Sequence, residues 1–283
     1  EDIQRSKPYT LSSKEGRLIA MTGEMSTSPS QIYDALSYSD LDFGEIKNEN
    51  GDVVEPTTGR YSVFMESTDR RVRKDAYDNL YEEYIKYKNT MASVLSSSIK
   101  ANIFTMNVRG FDSVRHMYMF ANNIPESVYD SLIESVKARK DLLHRYVSLR
   151  KKVLGVDDFY AYDMHVPLIP DVNLKVSYSQ APEIVTSALN VLGEEYVSSL
   201  KTAIENRWID PVENQGKNSG AYACSVYGVH PYVLMNWQDD IRSVSTLAHE
   251  LGHAMHYKYT NQTQPYVYAD TPIFVAEVAS TVN

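Results

Sequence analysis

Within eight residues of the segment TLAHELGHAMHYKY (246–259) lie His249, Glu250, His253 and His256. If this segment is helical, His249 and His253 project from one face about one turn apart, and their imidazoles can converge on a single cation. Glu250 is rotated off that pair by one position. There a carboxylate reaches a water on the cation without ligating it, as the general base of a metal-dependent hydrolase must. Chance would produce HExxH only roughly 0.01 times in a chain of this composition, so coincidence is a weak explanation. The competing reading is a pair of core histidines flanking a surface glutamate. Gly252 counts against it, because glycine costs a helix about 1 kcal/mol and usually marks close approach by another element.

Two histidines leave the cation short of a ligand. His256 shares their face, but it stands about 10 Å of helical rise from His249, too far for both to bind one ion. It is expected to be structural or to support a ligand. The HExxHxxGxxH class requires glycine and histidine where this chain has His256 and Tyr259, so that class is excluded. A second helix is expected in DTPIFVAEVASTVN (270–283), with Thr271 as N-cap and Pro272 in the first helical position. Within it Glu277 stands alone among Phe274, Val275, Ala276, Val278 and Ala279. A lone carboxylate on an apolar helix is costly unless paired or bound to a metal, so Glu277 is the expected third ligand. Asp270 is the rival, and helix capping accounts for it.

These side chains need a scaffold to hold them. QDDIRSVSTLAHELGHAMHYKY reads as one helix capped by Asp239 or Asp240, with an apolar stripe of Ile241, Val244, Leu247, Ala248, Leu251 and Ala254 or Met255. Helical periodicity also covers 67–104, 113–121, 126–153 and 181–206, with Pro125 and Pro182 at two of the starts and a shorter helix in SPSQIYDALSYSD. IKNENGDVVEP followed by GRYSVFME predicts a strand, an Asn-Gly turn and more strand. FYAYDMHVPLI, LKVSYS, GAYACSVY and PYVLMNW are short, aromatic and β-branched, as strands of a small sheet would be. The expected fold is therefore mainly α, with a small sheet beside the HExxH helix. Residues 1–154 form a mostly helical region and 155–283 a catalytic region, the two as separate parts or as one continuous domain.

Bulk properties narrow the partners. A net charge of -9 argues against nucleic acid, and the basic runs DRRVRK and KARKDLLHRYVSLRKK read as solvated helix faces. The single cysteine, Cys224, excludes an internal disulfide and a thiolate cluster and favours a reducing compartment, the cytoplasm. Its surroundings suit a small, buried, inert side chain. No apolar run approaches the ~20 residues of a membrane span. EDIQRSKPYTLSSKEG lacks the apolar core of a signal peptide. It also lacks an initiator methionine, so the chain is expected to begin partway through a longer protein or after processing.

LAHELGHAMH followed by FVAEVAS, with HPYVLMNW upstream, resembles the oligoendopeptidase F branch of the thimet oligopeptidase-like zinc metallopeptidases. The resemblance is strongest from Ser219 to Asn283. It implies a mostly helical fold with a deep channel and a small sheet beside the zinc, and activity on short peptides. Carried over by position, His249, His253 and Glu277 are zinc ligands and Glu250 is the catalytic base. In that family the chain runs on past the third-ligand helix and supplies further substrate contacts, so a fragment of a longer enzyme is expected. The activity foreseen is zinc-dependent hydrolysis of internal bonds in oligopeptides, with Glu250 moving the proton from water to the leaving amine. Tyr222, Tyr227 and His230 are candidate substrate contacts, and Ser219, Gly220 and Ala221 open a candidate edge strand for an extended peptide. The alternatives are a non-enzymatic helical scaffold, an inactive zinc-binding fragment of such an enzyme, and a thermolysin-like secreted endopeptidase.

Overall fold

The computed structural model describes residues 2–169 and 174–283. They fall into two compact units, Glu1–Glu45 with Tyr77–Met164, and Ile46–Ala76 with His165–Asn283. The chain is mainly helical, in keeping with its periodicity. No helix of the described residues is long and apolar enough to cross a membrane.

The first unit opens with α1 (Asp2–Ser6), α2 (Ser13–Met21) and α3 (Gly23–Ala35), which continues as a π-helical turn at Leu36–Asp40. In the second unit the Asn50-Gly51 turn joins β1 (Ile46–Lys47) to β2 (Val53–Val54) as a hairpin, and Gly51 supplies the positive φ of 87° that the turn needs. GRYSVFME then forms a helix, α4 (Tyr61–Met65), where the sequence predicts strand. Phe64 and Met65 are both buried. Adjacent buried positions suit a helical turn, whereas a strand would send them to opposite faces.

The helix expected over 67–104 is two, α5 (Arg70–Lys86) and α6 (Lys88–Arg109), separated at Tyr87 (φ −100°, ψ 9°). Its stripe is buried at Val72, Ala76 and Leu80, while Leu95 and Ile99 are exposed. After α7 (Val114–Ala121), capped by the Ser113 hydroxyl, the helix expected over 126–153 also divides, into α8 (Glu126–Lys137) and α9 (Lys140–Leu154). In the first unit Tyr9 stacks on Phe111 with ring centroids 3.8 Å apart. FYAYDMHVPLI is not strand: it contains a 3-10 turn, Ala161–Asp163, where the Asp163 carboxylate accepts from the Tyr160 N–H at 3.0 Å. LKVSYS contributes a single bridge, Lys175 with Asp240.

The rest of the second unit builds the site. Instead of one helix over 181–206 there are α10 (Ala181–Ala188), a 3-10 turn and α11 (Glu194–Glu205), divided at Gly193, whose φ is 97°. β3 (Ile209–Asp210), β4 (Tyr222–Cys224) and β5 (Tyr232–Leu234) form a sheet in the order β3-β5-β4, with β5 parallel to β3 and antiparallel to β4. β4 is thus an edge strand of that sheet. α12 (Ile241–Thr263) is capped by Asp240, whose carboxylate accepts from the Ser243 N–H at 2.7 Å. Val244, Leu247, Leu251, Ala254 and Met255 enter the core with Leu200 and Val233, while Ile241, at the exposed start of the helix, does not. α13 (Ile273–Val282) packs on α12. Its cap is Pro272 and its first residue Ile273, one position later than the sequence suggests.

Candidate metal centre

His249 and His253 lie on α12 with ring centroids 4.9 Å apart and planes crossed at 84°. Glu277 reaches them from α13, its Oε2 3.3 Å from His249 Nε2 and 3.4 Å from His253 Nε2. One ligand atom from each of the three lies within 4.8 Å of the others, and this is the group of potential metal ligands found among the described residues. Two imidazoles and a carboxylate are a donor set that a tetrahedral divalent cation such as zinc accepts, with a position left for solvent or substrate.

The electrostatics suit that use. Burial pushes the His253 pKa down, the nearby Glu277 opposing it, which favours the neutral imidazole that ligates metals. The Glu277 carboxyl is held below its ordinary range, chiefly by a hydrogen bond from the Ser280 hydroxyl at 2.7 Å and then by the two histidines. Glu250 is buried, and burial raises its pKa; His249 and an N–H from Ala223 of β4 act against the rise, while Glu277 adds to it. Its Oε2 is buried with no hydrogen-bond partner. A buried acceptor left unpaired carries a desolvation penalty, which a proton or a polar ligand would relieve.

Gly252 explains how a second helix comes so close. A Cβ built on it would lie 2.6 Å from the Ser280 Cα and 2.7 Å from the Ala279 carbonyl oxygen, so α13 rests directly on the glycine backbone.

The remaining candidates are distributed more widely. His256 is outside the ligand group; its Nδ1 is buried without a partner. Asp270 is also outside it. Gly220 and Ala221 line a polar cavity of about 260 Å³ with Asn236, Gln238, Arg242 and Thr246. Ser219, just before them, is exposed, and Tyr222 is exposed on β4. Tyr227 is engaged elsewhere, its hydroxyl donating to the Gln264 carbonyl at 3.0 Å. His230 stacks on Trp208 with centroids 4.9 Å apart. Cys224 is exposed, not buried, because the alternation of β4 turns Tyr222 and Cys224 outward and Ala223 inward.

Tyr257, which the HExxH pattern does not include, lies one turn beyond His253 on the same face. Its ring lies 6.4 Å from that of His253, and its pKa is raised by burial and by Cys224, Glu250, Asp270 and Glu277. The spacing 249, 253, 257 was the available signal.

Residues 63–283 match the model of Peptidase family M3, and residues 1–43 match that of Oligopeptidase F. The chain belongs to peptidase family M3. Among curated relatives it is 44% identical to Oligopeptidase PepF of Bacillus subtilis, over the whole of this chain and 42% of that protein. It is 41% identical to an oligoendopeptidase F homolog of Lactococcus lactis subsp. lactis, again over its whole length and 47% of the relative's. The crystal structure of oligoendopeptidase-F from Enterococcus faecium superposes with a TM-score of 0.65 at 32% identity, covering 99% of this chain and 43% of that one. The chain therefore spans less than half the length of these M3 relatives, and the resemblance seen in the motifs around α12 and α13 extends along all of it.

Proposed function

We propose that this chain carries the metal centre of a zinc oligoendopeptidase that cleaves internal bonds of short peptides. The observation that supports this most is the convergence of His249, His253 and Glu277 beside a buried carboxylate that is not itself among the ligand group. His249, His253 and Glu277 hold the ion. When bound, zinc supplies the Lewis acidity that makes a water nucleophilic near neutral pH and polarises a carbonyl.

The other contributions come from the protein. Burial raises the proton affinity of Glu250, so its carboxylate is a better base than an exposed glutamate and the acid it becomes is poised to protonate the leaving amine. The Ala223 N–H of β4 favours the charged form of Glu250 and so tempers that rise. Being an edge strand, β4 has backbone groups with which an extended peptide can pair, which favours unfolded, short substrates.

Elemental analysis and a peptide-cleavage assay test this reading. One zinc per chain and loss of cleavage on chelation are expected. A chain without stoichiometric zinc, or cleavage indifferent to chelator, would overturn it.

A further inference from the structure

Glu277 is an exposed ligand on a ten-residue helix, so its own burial cannot decide where it points. Much of α13 is exposed as well, including Ile273, Phe274 and Val278. Besides a hydrogen bond from the His253 ring to the Ala276 carbonyl, two attachments among the described residues hold it to the turn of α12 just before His253. One is the contact of Ala279 and Ser280 with Gly252. The other is a chain of hydrogen bonds that starts on α11. The Tyr196 hydroxyl donates to Asn283 Oδ1 at 2.7 Å, and Asn283 Nδ2 donates to the Ala248 carbonyl at 2.9 Å. The order of donors is fixed by chemistry: a carbonyl only accepts, so the amide nitrogen must face Ala248, leaving the amide oxygen for the phenol. Burial raises the Tyr196 pKa and keeps that phenol protonated. Ala248 immediately precedes His249, and its carbonyl is also the helical acceptor for Gly252. Both attachments therefore act on the same turn of α12, the one that presents His249.

We propose that Asn283 is a positioning residue for the third metal ligand: by joining Tyr196 of α11 to the Ala248 carbonyl of α12, it sets the register of α13 and with it the reach of Glu277. This rests on the metal centre proposed above. The Gly252 contact acts as a pivot and the Asn283 amide as the stop that prevents α13 from turning about it. Without the stop, the helix stays near α12 but Glu277 loses its aim at the two histidines.

The test uses the chain from Glu1 to Asn283 as Asn283→Asp, which keeps an acceptor for Tyr196 but no donor for Ala248, as Asn283→Leu, and as Tyr196→Phe. Cobalt(II) affinity by chelator competition, the visible cobalt spectrum, and hydrogen exchange of α13 amides in metal-free protein are measured. Both Asn283 variants should bind cobalt at least about tenfold more weakly, as is usual when the partner of a ligand is lost. Their spectra should change, and α13 should exchange faster while the middle of α12 keeps its protection. Tyr196→Phe should show a smaller loss. Wild-type affinity, spectrum and α13 exchange in all three variants would overturn the proposal. A wild-type chain that binds no cobalt would count against the metal centre itself; exchange in the metal-free variants then still decides the tether, faster α13 exchange supporting it and unchanged exchange overturning it.

Discussion

Gly252 of α12 and Ser280 of α13 meet so closely that a Cβ on the glycine would sit 2.6 Å from the Ser280 Cα. The obstruction is backbone, so it cannot be relieved by a rotamer change. Gly252→Ala gains about 1 kcal/mol of helix propensity, but overpacking of this kind costs about 1–3 kcal/mol. The expected net result is a chain no more stable than wild type, with α13 displaced and metal affinity reduced. Denaturant titration and a metal-competition assay check both parts; a stabilised variant with undiminished affinity would count against the close contact.

Ser280 also touches Glu277 directly. Its hydroxyl donates to Glu277 Oε2 at 2.7 Å and is the first cause of that carboxyl's lowered pKa. Ser280→Ala should raise the Glu277 pKa and weaken zinc binding by about tenfold. NMR titration of the Glu277 carboxyl carbon in metal-free protein reads the first effect, and chelator competition reads the second.

How much of this was legible in the sequence depended on the strength of each local pattern. The HExxH helix carries an apolar stripe, an aspartate cap and paired histidines, and all three agree on α12. Glu277 was legible because a lone carboxylate in an apolar run needs an explanation. Helix breaks were not: Tyr87 and the 138–139 junction hold residues that helices tolerate, so no local signal marks the ends of α5 and α8. Gly193 was visible as a residue but not as the positive-φ break between two helices. β3 is two residues long, below any periodicity. Ser280 and Asn283 were silent because a small polar residue at a helix end gains meaning only when the facing helix is known.

Stability should depend on pH through Glu250. Its folded pKa lies above the unfolded value, mainly through burial. Below the unfolded pKa, about 4.3, both states are protonated and the residue costs nothing. As pH rises through the folded pKa, the native state must hold a buried charge and loses stability relative to a variant without it. In chelator-treated protein, Glu250→Gln should therefore gain Tm over wild type as pH rises from about 4 to 7. Calorimetry across that range reads the difference, and a gap that shrinks with pH would contradict the buried-carboxylate account.

The start of α12 rests on one side chain. Asp240 accepts from the Ser243 N–H at 2.7 Å, and Asp240→Ala should cost about 1 kcal/mol in a denaturant titration. Hydrogen exchange should rise in the first turn of α12 and not around His249. Uniform loosening of the whole helix would show that the cap is not local.

In the proposed mechanism Glu250 moves protons while His249, His253 and Glu277 hold zinc. Measuring zinc content and peptide-cleavage rate together in Glu250→Gln separates these roles. The expected result is one zinc per chain with kcat reduced by about 10²–10⁴-fold, the usual worth of a general base. A zinc-loaded Glu250→Gln chain that cleaves peptides at the wild-type rate would contradict it.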